Sequence, residues 1–227
     1  TLLRRYREGH AEIEGFAEDY AYLIFGLLEL FQADPDPAWL AWAVTLQRRQ
    51  DDLFWDGTSG GWFSTTGRDP SVLVRMKEDY DGAEPTASSV SVLNLLTLSH
   101  LIDEPRWTDA VERTLRLFAE KLEQMGRGVP MMAAALSTYL AGPQQIVIVG
   151  DGDDGGALAR SIARRYLPFA TILILSSDAE CQKAASILPF VGGMRAVNGR
   201  AAAYVCRKGS CRPPATTAQQ LDQELRA

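Results

Sequence analysis

Between Arg75 and Thr86 the sequence crowds two cations and four carboxylates into one short run, Arg75-Met76-Lys77-Glu78-Asp79-Tyr80-Asp81-Gly82-Ala83-Glu84-Pro85-Thr86. Carboxylates held together at an apolar mouth have pKa values driven apart by burial and mutual repulsion, which a general acid and base pair requires. Asp81 and Glu84 are the candidate pair. Arg75 and Lys77 are candidate clamps for an anionic or polyhydroxylated ligand, with Glu78 as a further contact. A solvated acidic loop that caps the next helix accounts for the same residues and stands as the competing reading. A second set, Glu18-Asp19-Tyr20, opens the first complete helix. If successive helices start at one end of the array, Asp19 and Tyr20 face the same mouth as substrate contacts. Asp19 also reads as a first-turn carboxylate that suits the helix dipole.

Other chemistry is sparse. His10 and His100 are the only histidines, and neither stands at metal-ligand spacing from Cys or paired acids, so no metal and no cofactor is expected. Gly150-Asp151-Gly152-Asp153-Asp154-Gly155 matches a dinucleotide fingerprint in form, but its three carboxylates lie where a pyrophosphate would sit, and a helix-capping turn is the better reading. Cys206 and Cys211 are too far apart for a Cys-x-x-Cys motif and too few for zinc. We expect structural or incidental thiols there, in a reducing, cytoplasmic compartment.

The elements that position these residues fall in two parts. Of the 29 acidic residues, 22 precede Gly142-Pro143, and short Ile/Val/Leu runs with helical stretches between them follow it, so a boundary is expected near Gly142. Residues 1–142 are read as αα-hairpins. The order Gly26-Leu27-Leu28-Glu29-Leu30, then Pro37-Ala38-Trp39, returns as Asn94-Leu95-Leu96-Thr97-Leu98, then Pro105-Arg106-Trp107. Such hairpins need neighbours to bury both faces. A β-hairpin is expected near 60–77, between the repeats. Residues 143–227 are read as a small α/β unit with two parallel strands and an Asn198-Gly199 hairpin turn. The charged opening Leu2–Glu8 reads as the end of a helix and the whole chain as a C-terminal portion. On that reading Leu23, Leu27, Val92 and Leu96 are left uncovered.

Composition excludes several classes. With 46% hydrophobic residues the chain has enough for real cores, and its longest apolar runs fall far short of a membrane span. A net charge of −6 with no basic run excludes a nucleic-acid track.

The segments Glu18-Asp19-Tyr20-Ala21, Gly60-Gly61-Trp62-Phe63-Ser64-Thr65, Val74–Pro85, and Ala203-Tyr204-Val205-Cys206 with Cys211 resemble the spermatogenesis-associated protein 20 family of thioredoxin domain-containing proteins. The resemblance implies a thioredoxin-like domain, absent from this chain, ahead of an (α/α)6 toroid of the six-hairpin glycosidase and N-acylglucosamine 2-epimerase type, with a small α/β tail. The fold it implies here is mostly α: αα-hairpin repeats forming part of a toroid. The function it implies is sugar chemistry, epimerase-like or glycosidase-like, on a small-molecule substrate. The alternative is a noncatalytic scaffold or regulatory domain. Relatives commonly show Pro-Ser-Gly-Asn-Ser where this chain has Pro85-Thr86-Ala87-Ser88-Ser89, a departure that favours the alternative.

Overall fold

The computed structural model describes residues 1–207 and 209–226. The protein is about 53% helical, which makes it mostly α as expected, and among the described residues two small sheets accompany the helices. Among the described residues, no helix is long and apolar enough to cross a membrane. The backbone divides into two compact units, one of residues 1–28, 41–99 and 104–139, the other of residues 29–40, 100–103 and 140–227.

The first unit opens with β1 (Leu3–Arg7) and β2 (His10–Glu14), an exposed antiparallel pair turned by Glu8 and Gly9 at positive φ. The helix end expected here is therefore a hairpin, with His10 paired to Arg7. Four longer helices follow, α1 (Ala17–Ala33), α2 (Pro37–Phe54), α3 (Ala87–Leu101) and α4 (Pro105–Leu117), then α5 (Ala119–Met125) and α6 (Pro130–Ala141). Both α2 and α4 begin on Pro, whose missing N–H costs nothing at a first helical position. The repeat is thus visible as two helical hairpins whose tips, 29–40 and 100–103, fall in the same compact unit. The two tryptophans after those prolines have diverged. The Trp39 indole donates to Asp34, one turn back, whereas Trp107 is buried and donates to Asp51.

Ile24, Phe54, Leu95, Leu98 and Met132 are buried in the core of this unit. Of the four residues expected to be uncovered, Leu27, Val92 and Leu96 are buried and Leu23 is half-buried, so the expected exposed surface does not appear at the three buried positions.

Residues 60–77, expected as a β-hairpin, form an irregular loop instead. Two contacts of strand type persist, the Trp55–Trp62 bridge and the bond from Ser64 N to Met76 O at 2.8 Å. The physical reason is competition for carbonyls: Arg75 donates to Thr65 O and Leu53 O, and Lys77 to Gly60 O, so side chains occupy acceptors that a ladder would use. Gly61 adds a second reason. Its φ of +74° lies outside strand geometry, and a Cβ there would stand 3.1 Å from Leu117.

The second unit contains β3 (Gln144–Val149), α7 (Gly152–Ala163), β4 (Ala170–Leu175), α8 (Asp178–Ala185), β5 (Ala202–Arg207), β6 (Ser210–Cys211) and α9 (Ala218–Arg226). The sheet order is β4-β3-β5-β6, with β3 and β4 parallel, as expected, and β5 antiparallel to β3. Ile146, Ile148, Ala203 and Val205 on one face pack with Leu158 and Ile162 of α7 and Leu221 of α9. Asn198 and Gly199 turn at φ of 51° and 74° between the bridged Val197 and Arg200, the geometry of a two-residue hairpin turn. Cys206 and Cys211 are not independent thiols. Antiparallel register sets them directly opposite across β5 and β6, and a disulfide joins them.

Candidate functional site

Asp81 is the centre of the acidic loop, and the structure places it inside the protein. Its side chain accepts from Thr86 N at 2.8 Å through one oxygen, and from Met131 N at 2.9 Å and Met132 N at 3.3 Å through the other. Those N–H groups belong to the first turns of α3 and α6, or immediately precede them, where no intrahelical acceptor exists. Its own amide donates to Gly128 O. One carboxylate thereby caps two helices that start as far apart in sequence as Ala87 and Pro130, and the residue is 5% exposed. Thr86 continues the same work by accepting from Ser89 N, and Ser88 accepts from Trp62 N.

Glu84 and Glu78 are exposed. Their charges converge with those of Glu18 and Asp81 on Tyr22, whose hydroxyl donates to Pro85 O at 2.8 Å. Burial raises the Tyr22 pKa first, and Glu84, Glu18, Asp81 and Glu78 raise it further. The start of α1 and the acidic loop are thus brought together, through Tyr22 and Glu18 rather than through Asp19 and Tyr20. Asp19 accepts from Phe16 N at 2.7 Å and caps its own helix. Tyr20 is fully buried, edge-on to Phe54, with its hydroxyl accepting from Leu2 N. Arg4 pairs with Glu18 at 2.7 Å, and that contact raises its pKa.

The two candidate clamps are anchors. The Arg75 guanidinium stacks on Phe63 with 4.2 Å to the ring centroid, while its N–H groups hold Thr65 O and Leu53 O. Lys77 forms an ion pair of 2.7 Å with Asp56 and reaches the same ring. The Lys77 hydrogen bond holds the Asp56 carboxyl down at about 2, and backbone N–H groups of Thr58 and Ser59 lower it further. Lys77 also borders a cavity of about 420 Å³ with Asp79, Phe118, Lys121 and Met125, but Lys121 is itself paired with Asp79.

Asp51 was invisible in the sequence as a candidate. One of its oxygens accepts from Trp62 Nε1 at 3.0 Å and Gln47 Nε2 at 2.9 Å, the other from Trp107 Nε1 at 3.2 Å. Burial pushes its pKa up to about 6 against those hydrogen bonds. Gln47 extends the network to Gln50, which donates to Ala17 O and Ser91. In the sequence it stands in a polar run, Arg48-Arg49-Gln50-Asp51-Asp52, with nothing to distinguish it from its neighbours. Among the described residues, no group of three or more His, Cys, Asp or Glu is placed to hold a metal ion.

The class defined by this geometry is a mostly helical domain with an α/β companion, whose ionisable residues chiefly tie helix ends and loops together. No family model matches the chain. It is 39% identical over 214 residues to human Spermatogenesis-associated protein 20, a match spanning 93% of this chain and 27% of the human protein. The rat protein of that name is 38% identical over the same shares of each chain. An uncharacterised protein of Caenorhabditis elegans is 32% identical over 219 residues, 95% of this chain and 29% of its own length. The chain is thus homologous to a portion of Spermatogenesis-associated protein 20, in line with its motifs, and spans about a quarter of the length of these relatives.

Proposed function

We propose that this chain is a noncatalytic scaffold domain of a longer protein. The observation that carries the reading is Asp81: the carboxylate best placed by sequence to act as acid or base has both oxygens bonded to backbone N–H groups of two helix starts. A general base needs a free lone pair within reach of a substrate proton, whereas Asp81 is buried and three hydrogen bonds commit its two oxygens to the fold. Arg75, Lys77, Asp19 and Tyr20 are engaged in the same way. Calorimetric titration with a panel of monosaccharides tests this. A scaffold gives no saturable heat, and saturable sugar binding that Glu84→Gln abolishes would overturn the reading.

The second reading is a carbohydrate-active, epimerase-like or glycosidase-like site on part of an (α/α)6 toroid. Asp81 and Glu84 would be acid and base, with Asp19, Tyr20, Arg75, Lys77 and Glu78 as contacts. It is favoured by the convergence of Glu84, Glu18, Asp81 and Glu78 on Tyr22. Turnover of a sugar that is lost on Glu84→Gln without loss of folding supports it.

A further inference from the structure

The bond between Cys206 and Cys211 closes a loop of only six residues, on a hairpin that other bonds hold as well. The pair stands in register on β5 and β6, next to the pair Arg207 and Ser210. Beyond it the returning chain is held by Arg212 N on Val205 O at 3.0 Å, and by mutual bonds of Ala203 with Ala215 at 2.8 and 2.9 Å. Arg212 is tied further by Glu224 at 2.9 Å. A disulfide constrains an unfolded chain least when its loop is short, so this bond holds the fold less than one closing a long loop would. What distinguishes the two sulfur-bearing residues is access. Cys211 is exposed on the edge strand, whereas Cys206 is 2% exposed on the face of β5 that carries Gln145 beside it on β3. Gln145 in turn donates to His100 O.

From this placement we infer that Cys206–Cys211 is a reversible thiol–disulfide exchange site for a dithiol reductant, with Cys211 as the sulfur attacked. The thiolate of the dithiol bonds to Cys211 Sγ, the Cys206–Cys211 bond breaks, and Cys206 leaves as a thiolate that takes up a proton. The reductant's second thiol loses its proton and attacks the reductant's first sulfur, the one bonded to Cys211; that bond breaks and Cys211 departs as a thiolate that takes up a proton. Two electrons and two protons pass from the dithiol to the protein, and the reductant leaves as a disulfide. Cys181 takes no part, because it lies fully buried in α8 and burial pushes its thiol pKa up. The reduced state frees β6 from the covalent tie while the Ala203–Ala215 bonds keep the strand beyond it in place.

The test is reduction of the folded protein in graded dithiothreitol buffers, with alkylation and mass mapping of each cysteine. Cys206 and Cys211 should become alkylated together while Cys181 stays protected and the circular dichroism is unchanged. The order of attack is read by glutathione disulfide: Cys206→Ser should be captured at Cys211 at least tenfold faster than Cys211→Ser is captured at Cys206. Melting temperatures of both variants confirm that folded protein is compared. Reduction that proceeds only with unfolding, or equal capture of the two single variants, would overturn the inference. So would a protein in which both thiols stay free under oxidising glutathione.

Discussion

Trp107 Nε1 stands 3.2 Å from one carboxylate oxygen of Asp51, and Trp62 Nε1 stands 3.0 Å from the other, so a single buried acid joins α2, the loop after it and α4. The acid has three neutral donors and no ion-pair partner among the described residues, because Arg106 is bonded to Glu104. Burial disfavours its charged form, and the three hydrogen bonds offset that only in part.

This arrangement sets a pH dependence whose sign follows from linkage. The Asp51 pKa is raised from 3.8 to about 6, so the folded state binds the proton more tightly than the unfolded chain does. Its stabilising contribution is full below about pH 4, declines as pH rises to about 6, and is absent above that. Urea midpoints measured from pH 4 to pH 7 should show a loss of about 2–3 kcal/mol attributable to this residue. Asp51→Asn should flatten that part of the profile, and a profile unchanged by the substitution would show that Asp51 does not govern it.

The ion pair of Lys77 with Asp56 has the opposite sign. Asp56 is held down at about 2, first by Lys77, so its contribution is present above about pH 4 and is lost as pH falls toward 2. Lys77→Met should lower stability at pH 7 by about 2 kcal/mol, since it leaves the Asp56 charge and Gly60 O without their donor. Chemical denaturation of the two proteins at pH 7 and pH 3 measures it, with a smaller difference expected at the lower pH.

Removing the double cap should cost more. Asp81→Ala leaves the N–H groups of Thr86, Met131 and Met132 without their acceptor, an expected loss of about 2–4 kcal/mol. Asp81→Asn retains one oxygen and should lose less. Amide hydrogen exchange adds a local readout: faster exchange at the first turns of both α3 and α6 is expected, and faster exchange at only one would deny the shared cap.

Gly155 reports on the second unit. A Cβ at this position would stand 2.5 Å from Gly150 O, a backbone atom that cannot swing away, so Gly155→Ala must push α7 from the end of β3. A loss of about 1–3 kcal/mol is expected, by analogy with overpacking in a core. A melting temperature equal to that of the unchanged protein would contradict the close approach of helix and strand.

The resemblance to Spermatogenesis-associated protein 20 was legible because it rests on side-chain order, as in Lys77-Glu78 and Asp81-Gly82-Ala83-Glu84-Pro85, and order survives in one dimension. Local structure was legible for a related reason. Asp36-Pro37 and Glu104-Pro105 open helices, Ile146–Val149 makes a buried strand, and Asn198-Gly199 turns at positive φ, each through preferences acting within a few residues. The charged opening misled because the turn at Glu8 and Gly9 makes a hairpin from residues whose types also suit a helix. Chemical roles were beyond the sequence's reach. A carboxylate that binds a substrate and one that caps two helices are the same side chain, and only folding brings Met131 to Asp81 or Trp107 to Asp51. Cys206 and Cys211 make the same point at short range: five positions apart they satisfied no motif, and antiparallel register alone set them face to face. Residue type and spacing determined the homology and most of the elements, but not the opening hairpin or the irregular loop over 60–77. The tertiary structure decided which charges the fold consumes, because hydrogen-bond partners distant in sequence are chosen by packing and not by order along the chain.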